Sequence, residues 1–440
     1  MTESLGGLSR RHLLRAGALG AAAVGLAACG NSGSDGTTTS SGKTRVRLMG
    51  LFFLQDELAA ARQIIDAFNA QSTTIEVQYV QQSWGTIDSK MTVAFSSGDV
   101  PELFHYYDAG LIPWGENGLL TDLKTLLPED SWKNIIPGTL SSLTSPTKGV
   151  LGMPFETETP LIYYNTELFT ANGIQPATLD NRWTWDQLRD TAARLSKPGD
   201  GMYGLSANWQ AGEILFKNGL AWQAGAAPIK KDGDTFTIDA NDPGTRASID
   251  YLTDLFSRKI ADPKGVDGDV VANFMTGSAA MLIRGAWART QIPTVKGAKV
   301  KWAAMPFVKG PQANLGSGAA QTLSIPAAAK NKEAAAEFLR WWSKPENIAK
   351  INQAAGQLPP DTAALDVLRS STNGKDYWDA AIAETAELQG QPYCPGWVPM
   401  LGKVWNPAMF AVLKGTSTYD RFAQVVNKDG TAAVRAAAGS

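Results

Sequence analysis

From Arg45 onward, apolar residues recur by turns with strand and with helix periodicity, and few folds accept that order. Val46-Arg47-Leu48-Met49 alternates; Leu58, Ala61, Ile65 and Phe68 then recur at spacings of three and four, one face of a helix. Ile75 to Val80 alternates again, residues 87–97 read as a second helix, and Glu102-Leu103-Phe104-His105-Tyr106 reads as the next strand. Strands separated by helices imply an α/β chain with a mostly parallel sheet covered on both faces. The stretch from about 160 to 300 repeats this style. Asp242-Pro243 marks a helix start, Asp as the cap and Pro at the first helical position, with Ile249, Leu252 and Phe256 on one face. A helix is expected from Asn331 through Trp342, closed by Pro345, and the region from about 376 to 430 reads as helical and rich in aromatics.

Ahead of this pattern lies a leader. Arg10 and Arg11 precede an apolar stretch, Ala16 to Ala28, that has the length of a signal-peptide core and is too short to span a bilayer. The paired arginines resemble a twin-arginine export signal. Leu26-Ala27-Ala28-Cys29 resembles a lipobox, in which the cysteine thiol takes a diacylglycerol and becomes the new N-terminus. The Ser/Thr/Gly-rich run from Asn31 to Lys43 then reads as a flexible tether. The expectation is an extracytoplasmic protein held on the cell membrane by lipid on Cys29, palmitate included, and by no membrane span of its own.

Composition removes whole classes of function. Losing residues 1–28 takes three of the 40 basic residues and one of the 42 acidic ones, so 37 bases face 41 acids and the formal charge is −4. That balance argues against nucleic acid as a partner. His105 is the one histidine beyond the leader and Cys394 the one cysteine beyond Cys29. Such a chain cannot assemble the usual His or Cys zinc sites, and no G-x-S-x-G elbow is present. No metal, cofactor or catalytic residue is expected, nor an intramolecular disulfide if Cys29 is acylated. The fold has to stand on its core, and about 400 residues suffice for two lobes.

Four stretches in order resemble the family 1 extracellular solute-binding proteins, the maltose-binding type. Phe95-Ser96-Ser97-Gly98-Asp99-Val100-Pro101-Glu102-Leu103 is similar to the family's A-x-A-S-G-x-x-P-D-[VL], with Glu102 for the usual Asp. Tyr163-Tyr164-Asn165-Thr166-Glu167-Leu168-Phe169 is similar to Y-Y-N-K-x-L-F, followed by the helix start Thr184-Trp185-Asp186-Gln187-Leu188. Asn273 to Trp287 carries F-x-x-G-x-A-A-M-x-x-x-G-x-W, and Gln357-Leu358-Pro359-Pro360 resembles the G-x-[LIF]-P turn. The resemblance runs from about Lys43 to the C-terminus. It implies a periplasmic-binding-protein type II-like fold: two α/β lobes with a hinged cleft, crossed three times by the chain. Lobe 1 would hold 44–155 and 310–353, lobe 2 156–305 and 358–440. It further implies a monomeric substrate-binding lipoprotein of an ABC importer that takes a carbohydrate, an oligosaccharide by expectation, and hands it to the transmembrane permease subunits.

A sugar offers hydroxyls at its rim and C–H groups on its face, so a site for it needs flat aromatics and carboxylates or amides. The chain has 14 tryptophans. Trp287 holds the family's stacking position. Trp209, Trp397 and Trp84 lie in loops beside strand ends and are further candidates. Asp108 follows the strand ending at Tyr106 and matches a sugar-binding Asp of the family; Glu158 matches a sugar-binding Glu. Glu156, two residues before Glu158 in an extended stretch, would share its face. His105 replaces a family Trp and is expected to be packed or hydrogen-bonded. Trp183, Trp185, Trp341, Trp342 and Trp378 sit on helical patterns and belong to packing. The alternatives are a binding protein for glycerol phosphate or a polyamine, and a secreted carbohydrate-active enzyme. Phosphate calls for clustered Arg or Lys, polyamines for more acids beside the aromatics, and glycosidases for two carboxylates facing across the bond.

Overall fold

The computed structural model describes residues 38–209, 219–266, 269–313, 316–317, 320–370, 380–382, 384, 388–389 and 393–438. Thr44–Gly50 (β1), Ile75–Gln81 (β2) and Leu103–Tyr107 (β3) are strands, and both β2 and β3 run parallel to β1. The connecting helices Gln55–Gln71 (α1) and Ile87–Ser97 (α2) bury Ala61, Ile65, Phe68 and Met91 against them. Strand β3 starts at Leu103, one residue later than expected. Glu102 instead turns its carboxylate back to accept the Arg47 amide at 2.8 Å. Asp108–Glu116 (α3) follows β3 directly.

Two antiparallel strands from later in the chain complete this sheet. Met153–Thr157 (β4) and Ala320–Ser324 (β9) give the order β2-β1-β3-β9-β4. A second sheet holds Pro160–Asn165 (β5), Tyr203–Ser206 (β6), Ala279–Gly285 (β7) and Trp302–Pro306 (β8), in the order β8-β5-β7-β6. Within it β6 and β7 are parallel, whereas β5 is antiparallel to both its neighbours. The chain therefore leaves the first sheet after Thr157, returns to it between Pro306 and Ala320, and passes beside the first crossing again at Leu358, whose carbonyl accepts the Thr157 amide at 2.8 Å.

Each sheet has its own core. Leu48, Phe52, Phe104, Phe155, Phe338 and Trp342 fill the first. Along β5 and β7, Ile162, Met281 and Ile283 face one core while Leu161, Tyr163 and Leu282 face another, the signature of strands covered on both sides. The helices begin where their caps dictate. Thr184 and Gln187 form a reciprocal capping box ahead of Trp185–Leu195 (α4), and Asp242 accepts the Thr245 amide at 2.9 Å ahead of Pro243–Ser257 (α5). Val270–Met275 (α6) leads into β7.

Lys332–Trp342 (α7) ends where expected, but Pro345 does not close it. Pro345 is the first residue of another helix, Pro345–Ala355 (α8), a position where its missing N–H has no partner to lose. Toward the C-terminus, Trp397–Met400, Asn406–Leu413, Tyr419–Val425 and Thr431–Ala438 are helical; Trp378 lies outside the described residues. So do Arg10, Arg11 and Cys29. Among the described residues no helix is long and apolar enough to cross a membrane.

Candidate ligand-binding site

Because β1, β2 and β3 are parallel, their C-terminal ends lie at one edge of the first sheet, the edge where α/β sheets bind ligands. Each end carries an aromatic residue. Phe53 follows β1 and is 61 % exposed; Trp84 follows β2 and is 37 % exposed; Tyr107 ends β3. The Trp84 ring lies 6.0 Å from that of Tyr107 and 5.7 Å, edge-on, from that of His105. Exposed aromatics of this size, adjacent to one another, form a surface on which a flat apolar face can lie.

His105 itself is not part of that surface. It is buried, its Nδ1 accepts the Leu51 amide at 3.2 Å, and its Nε2 lies 3.0 Å from Gln321 Oε1. The first contact fixes Nδ1 as the acceptor, so the proton sits on Nε2 and is donated to Gln321. Burial holds its pKa down to about 4, and the ring is neutral.

Carboxylates stand behind and beside the aromatics. Asp108, first residue of α3, is buried; its Oδ1 accepts the Ala109 amide at 2.7 Å. Burial lifts its pKa to about 6 against the pull of Ser142, Ala109 and Ala320, and the Glu158 carboxylate adds to the rise. Glu156 pairs with Gln321 across β4 and β9 and is also buried. Its pKa is raised well above the ordinary value, first by burial and then by the carboxylates of Glu57 and Glu158. Glu57, in the first turn of α1, is raised to about 7, mainly by burial, while its carboxylate accepts the Leu54 amide at 3.3 Å.

The second sheet contributes from its own strand ends. Glu158 lies half-buried in the crossing between β4 and β5. One residue on, the Thr159 carbonyl accepts the Ala286 amide at 2.8 Å, which fastens the Trp287 loop to that crossing. Tyr163 donates its hydroxyl to the Ala286 carbonyl at 2.8 Å. The Trp287 indole folds back over Arg284, whose guanidinium is 4.3 Å from the ring centre. Gly285 makes this possible: a Cβ there would stand 2.4 Å from the indole nitrogen. Beside Arg284, at the C-terminal ends of the parallel pair β6 and β7, lies a cavity of about 380 Å³ lined by Asn208, Asp269, Arg284, Gln291, Thr294 and Val295.

Five of the candidates from the sequence are thus linked. Trp84 touches Tyr107, Tyr107 adjoins Asp108, Asp108 and Glu156 feel Glu158, and Glu158 adjoins the residue that holds the Trp287 loop. Trp209 and Trp397 are not in this set. Trp209 is fully buried, donates Nε1–H to the Asp262 carbonyl at 3.1 Å and packs edge-on against Phe256. Trp397 is buried against Trp405 in the same core. Trp209 turns inward onto Pro243–Ser257, and Trp397 is not in a loop but is the first residue of the helix Trp397–Met400; local sequence reveals neither. Phe53, Glu57, Tyr107 and Arg284 join the site without having been singled out. The signal for the aromatics was available: each ends or follows a strand of a parallel set.

Among the described residues no three His, Cys, Asp or Glu side chains stand close enough to hold a metal ion.

Comparison with known proteins places the chain. An uncharacterized lipoprotein in the oleD 5′ region of Streptomyces antibioticus is 26 % identical over 387 residues, 86 % of this chain and 84 % of that protein. The sn-glycerol-3-phosphate-binding periplasmic protein UgpB of Pectobacterium atrosepticum is 24 % identical, covering 81 % of this chain and 83 % of its own length. Among solved structures, the ABC substrate-binding protein Lmo0181 of Listeria monocytogenes, in complex with cycloalternan, superposes with a TM-score of 0.75 at 20 % identity, covering 90 % of this chain and 99 % of that one. It shares the fold: two α/β lobes of the periplasmic solute-binding type. The family model of the bacterial extracellular solute-binding proteins matches residues 54–349, and the chain belongs to that family.

Proposed function

We propose that this protein captures a carbohydrate between its two lobes and delivers it to the transmembrane subunits of an ABC importer. The observation that carries the reading is the linkage of exposed aromatics and carboxylates across a crossing. Trp84, Tyr107 and Asp108 stand at the edge of the first sheet, and Glu158 and Trp287 stand where the chain enters the second. Aromatic faces take the C–H side of a pyranose and carboxylates accept its hydroxyls. Solved relatives of the same fold include proteins crystallised with cycloalternan and with maltotetraose.

The lobes are taken as 44–157 with 310–353 and 158–305 with 358–440, the first boundary lying two residues beyond the expected 155/156 because Glu156 and Thr157 pair with β9, and they move about the crossings at 157–160, 306–320 and 356–360. A ligand that touches both lobes favours the closed arrangement by its differential affinity. Gly356, at φ 70°, ends α8 at one of these crossings, and a side chain there would meet the Thr290 methyl at 3.0 Å. The Trp287 loop therefore packs directly on a turn that has to swing. A phosphate ester fits the site less well than a sugar, because Asp108, Glu156 and Glu158 outnumber Arg284. The leader supports export by the twin-arginine route and a lipid anchor at Cys29, which would hold a monomer at the outer face of the cell membrane.

Thermal unfolding of residues 30–440 against a panel of mono- and oligosaccharides tests this. A sugar at 100 times its dissociation constant stabilises by about 2.7 kcal/mol, a shift of several degrees. A shift with one sugar class that Trp287→Ala abolishes supports the reading. No shift with any sugar, and one with glycerol phosphate, overturns it.

A further inference from the structure

Between the two sheets the chain makes a contact that no pairing of strands requires. Tyr393 is half-buried, and among the described residues it is the one partly buried hydrophobic side chain packed against the cores of both sheets. Its root lies in the second. Cys394 and Trp397, just after it, are buried in that core, and the Tyr393 ring meets Phe236 edge-on at 5.9 Å. Its other side faces the first sheet. There burial first, and then the Glu116 carboxylate, push its phenol above the ordinary range.

Glu116 is itself fixed in place. It ends α3, and its carboxylate accepts the hydroxyls of Ser145 and of Thr147, the latter at 2.8 Å. A second contact of the same kind lies close by in the chain. Glu384 is held to the second sheet's side by Arg182 at 2.6 Å and by the Phe307 amide at 3.0 Å. Leu388–Gln389 then pairs with Gly316–Ser317, within the crossing between Pro306 and Ala320, and lies beside the helix Pro137–Ser142 of the first lobe. Both supports lead to the candidate site. Helix α3 begins at Asp108, and the helix Pro137–Ser142 ends at Ser142, whose side chain hydrogen-bonds to Asp108.

An aromatic ring shared by two cores stabilises the one arrangement in which both of its sides are covered, and that contribution is lost when the cores move apart. We infer that Tyr393 is a latch between the lobes: rooted in the second core and seated on the first beside Glu116, it favours the arrangement described here and so sets how readily the lobes move. It acts without touching the solute. A solute that binds one arrangement better than the other works with or against the latch, so Tyr393 tunes affinity through the equilibrium alone. The inference rests on the two-lobe fold and not on which solute is bound.

Distances between spin labels test this with no solute present. In a full chain carrying Cys29→Ser, labels at Val93→Cys and Leu179→Cys, positions 67 % and 43 % exposed with one on each lobe, report the spacing of the lobes by double electron–electron resonance. Cys394 is buried and stays unlabelled. The labelled parent should be dominated by the separation that this structure gives. Tyr393→Ala should lower the ratio of that separation to all others by about tenfold, and Tyr393→Phe, which keeps the ring, should match the parent. Melting curves check each fold. Where the alanine variant melts early, Tyr393→Leu, apolar but shorter than the ring, is read in its place and should shift the ratio in the same direction. A parent without the structural separation, an alanine variant with the parent's distribution, or a phenylalanine variant shifted as far as the alanine one overturns the inference. None of these outcomes touches the carbohydrate reading, which the sugar panel tests separately.

Discussion

The Arg284 guanidinium lies 4.3 Å from the centre of the Trp287 indole, three residues along the chain, with Gly285 between them leaving room for the ring. The indole is thereby held against one cation, and its loop is pinned by Tyr163 and by the Thr159 carbonyl. Such a clamp keeps a stacking residue in place before ligand arrives, which removes part of the ordering cost of binding. In Gly285→Ala the new methyl would stand 2.4 Å from the indole nitrogen and displace the ring. We expect affinity for the sugar that shifts the melt to fall about tenfold, near 1.4 kcal/mol, measured by calorimetry. Unchanged affinity would mean that Trp287 takes no part in binding.

Trp84 and Trp209 should respond oppositely to truncation. Trp84 is 37 % exposed and rests on its aromatic neighbours, whereas Trp209 is fully buried with its indole N–H on the Asp262 carbonyl. Trp84→Ala should change the unfolding free energy by about 0.5 kcal/mol or less while weakening sugar binding. Trp209→Ala should cost about 3–5 kcal/mol of stability, seen as a fall in urea midpoint. A Trp209→Ala protein as stable as its parent would contradict the packing described for it.

This pair also shows how far local sequence reaches. The alternating and helical periods from Val46 to Tyr106 and the Asp242-Pro243 cap translate directly into structure, because they express short-range rules of face and capping. Asp108 and Trp84 were legible for a related reason: both follow strands of a parallel set, whose C-terminal ends must share an edge. Trp209 occupies an equivalent position after β6, yet its ring turns inward, and only the path of Pro243–Ser257 decides that. Glu57 escaped notice because its partner Glu156 lies 99 positions away, and burial of two carboxylates together is a tertiary fact. Pro345 reads as a terminator from one side and as a first helical residue from the other; both are true of it, and the turn before it selects the second.

Cys394 should be chemically silent in the folded protein. It is buried, and burial pushes its thiol up to about 12, so almost no thiolate exists at neutral pH. In a full chain carrying Cys29→Ser, Ellman's reagent at pH 8 should find no reactive thiol under native conditions and one after denaturation. Rapid native reaction would show that the loop before Trp397 opens readily.

The buried carboxylates make stability depend on pH with a definite sign. Glu57 is raised from 4.5 to about 7 and Asp108 from 3.8 to about 6, chiefly by burial, and Glu156 is raised as well. Between the unfolded and folded values the native state holds protons that the unfolded chain has released. The protonated groups' contribution is therefore full below about pH 4 and is lost as pH rises through 6 and 7. His105 acts in the other direction. Its pKa is lowered from 6.5 to about 4, so its contribution is full above 6.5 and is lost as pH falls through 4. Three carboxyls against one imidazole leave a net fall in stability from about pH 5 to pH 8. Glu57→Gln, which keeps a neutral group in the same space, should recover something of the order of 3 kcal/mol at pH 8 and nothing at pH 4. Urea unfolding of parent and variant at both values decides it, and parallel pH profiles would show that Glu57 is ionised in the native protein at neutral pH.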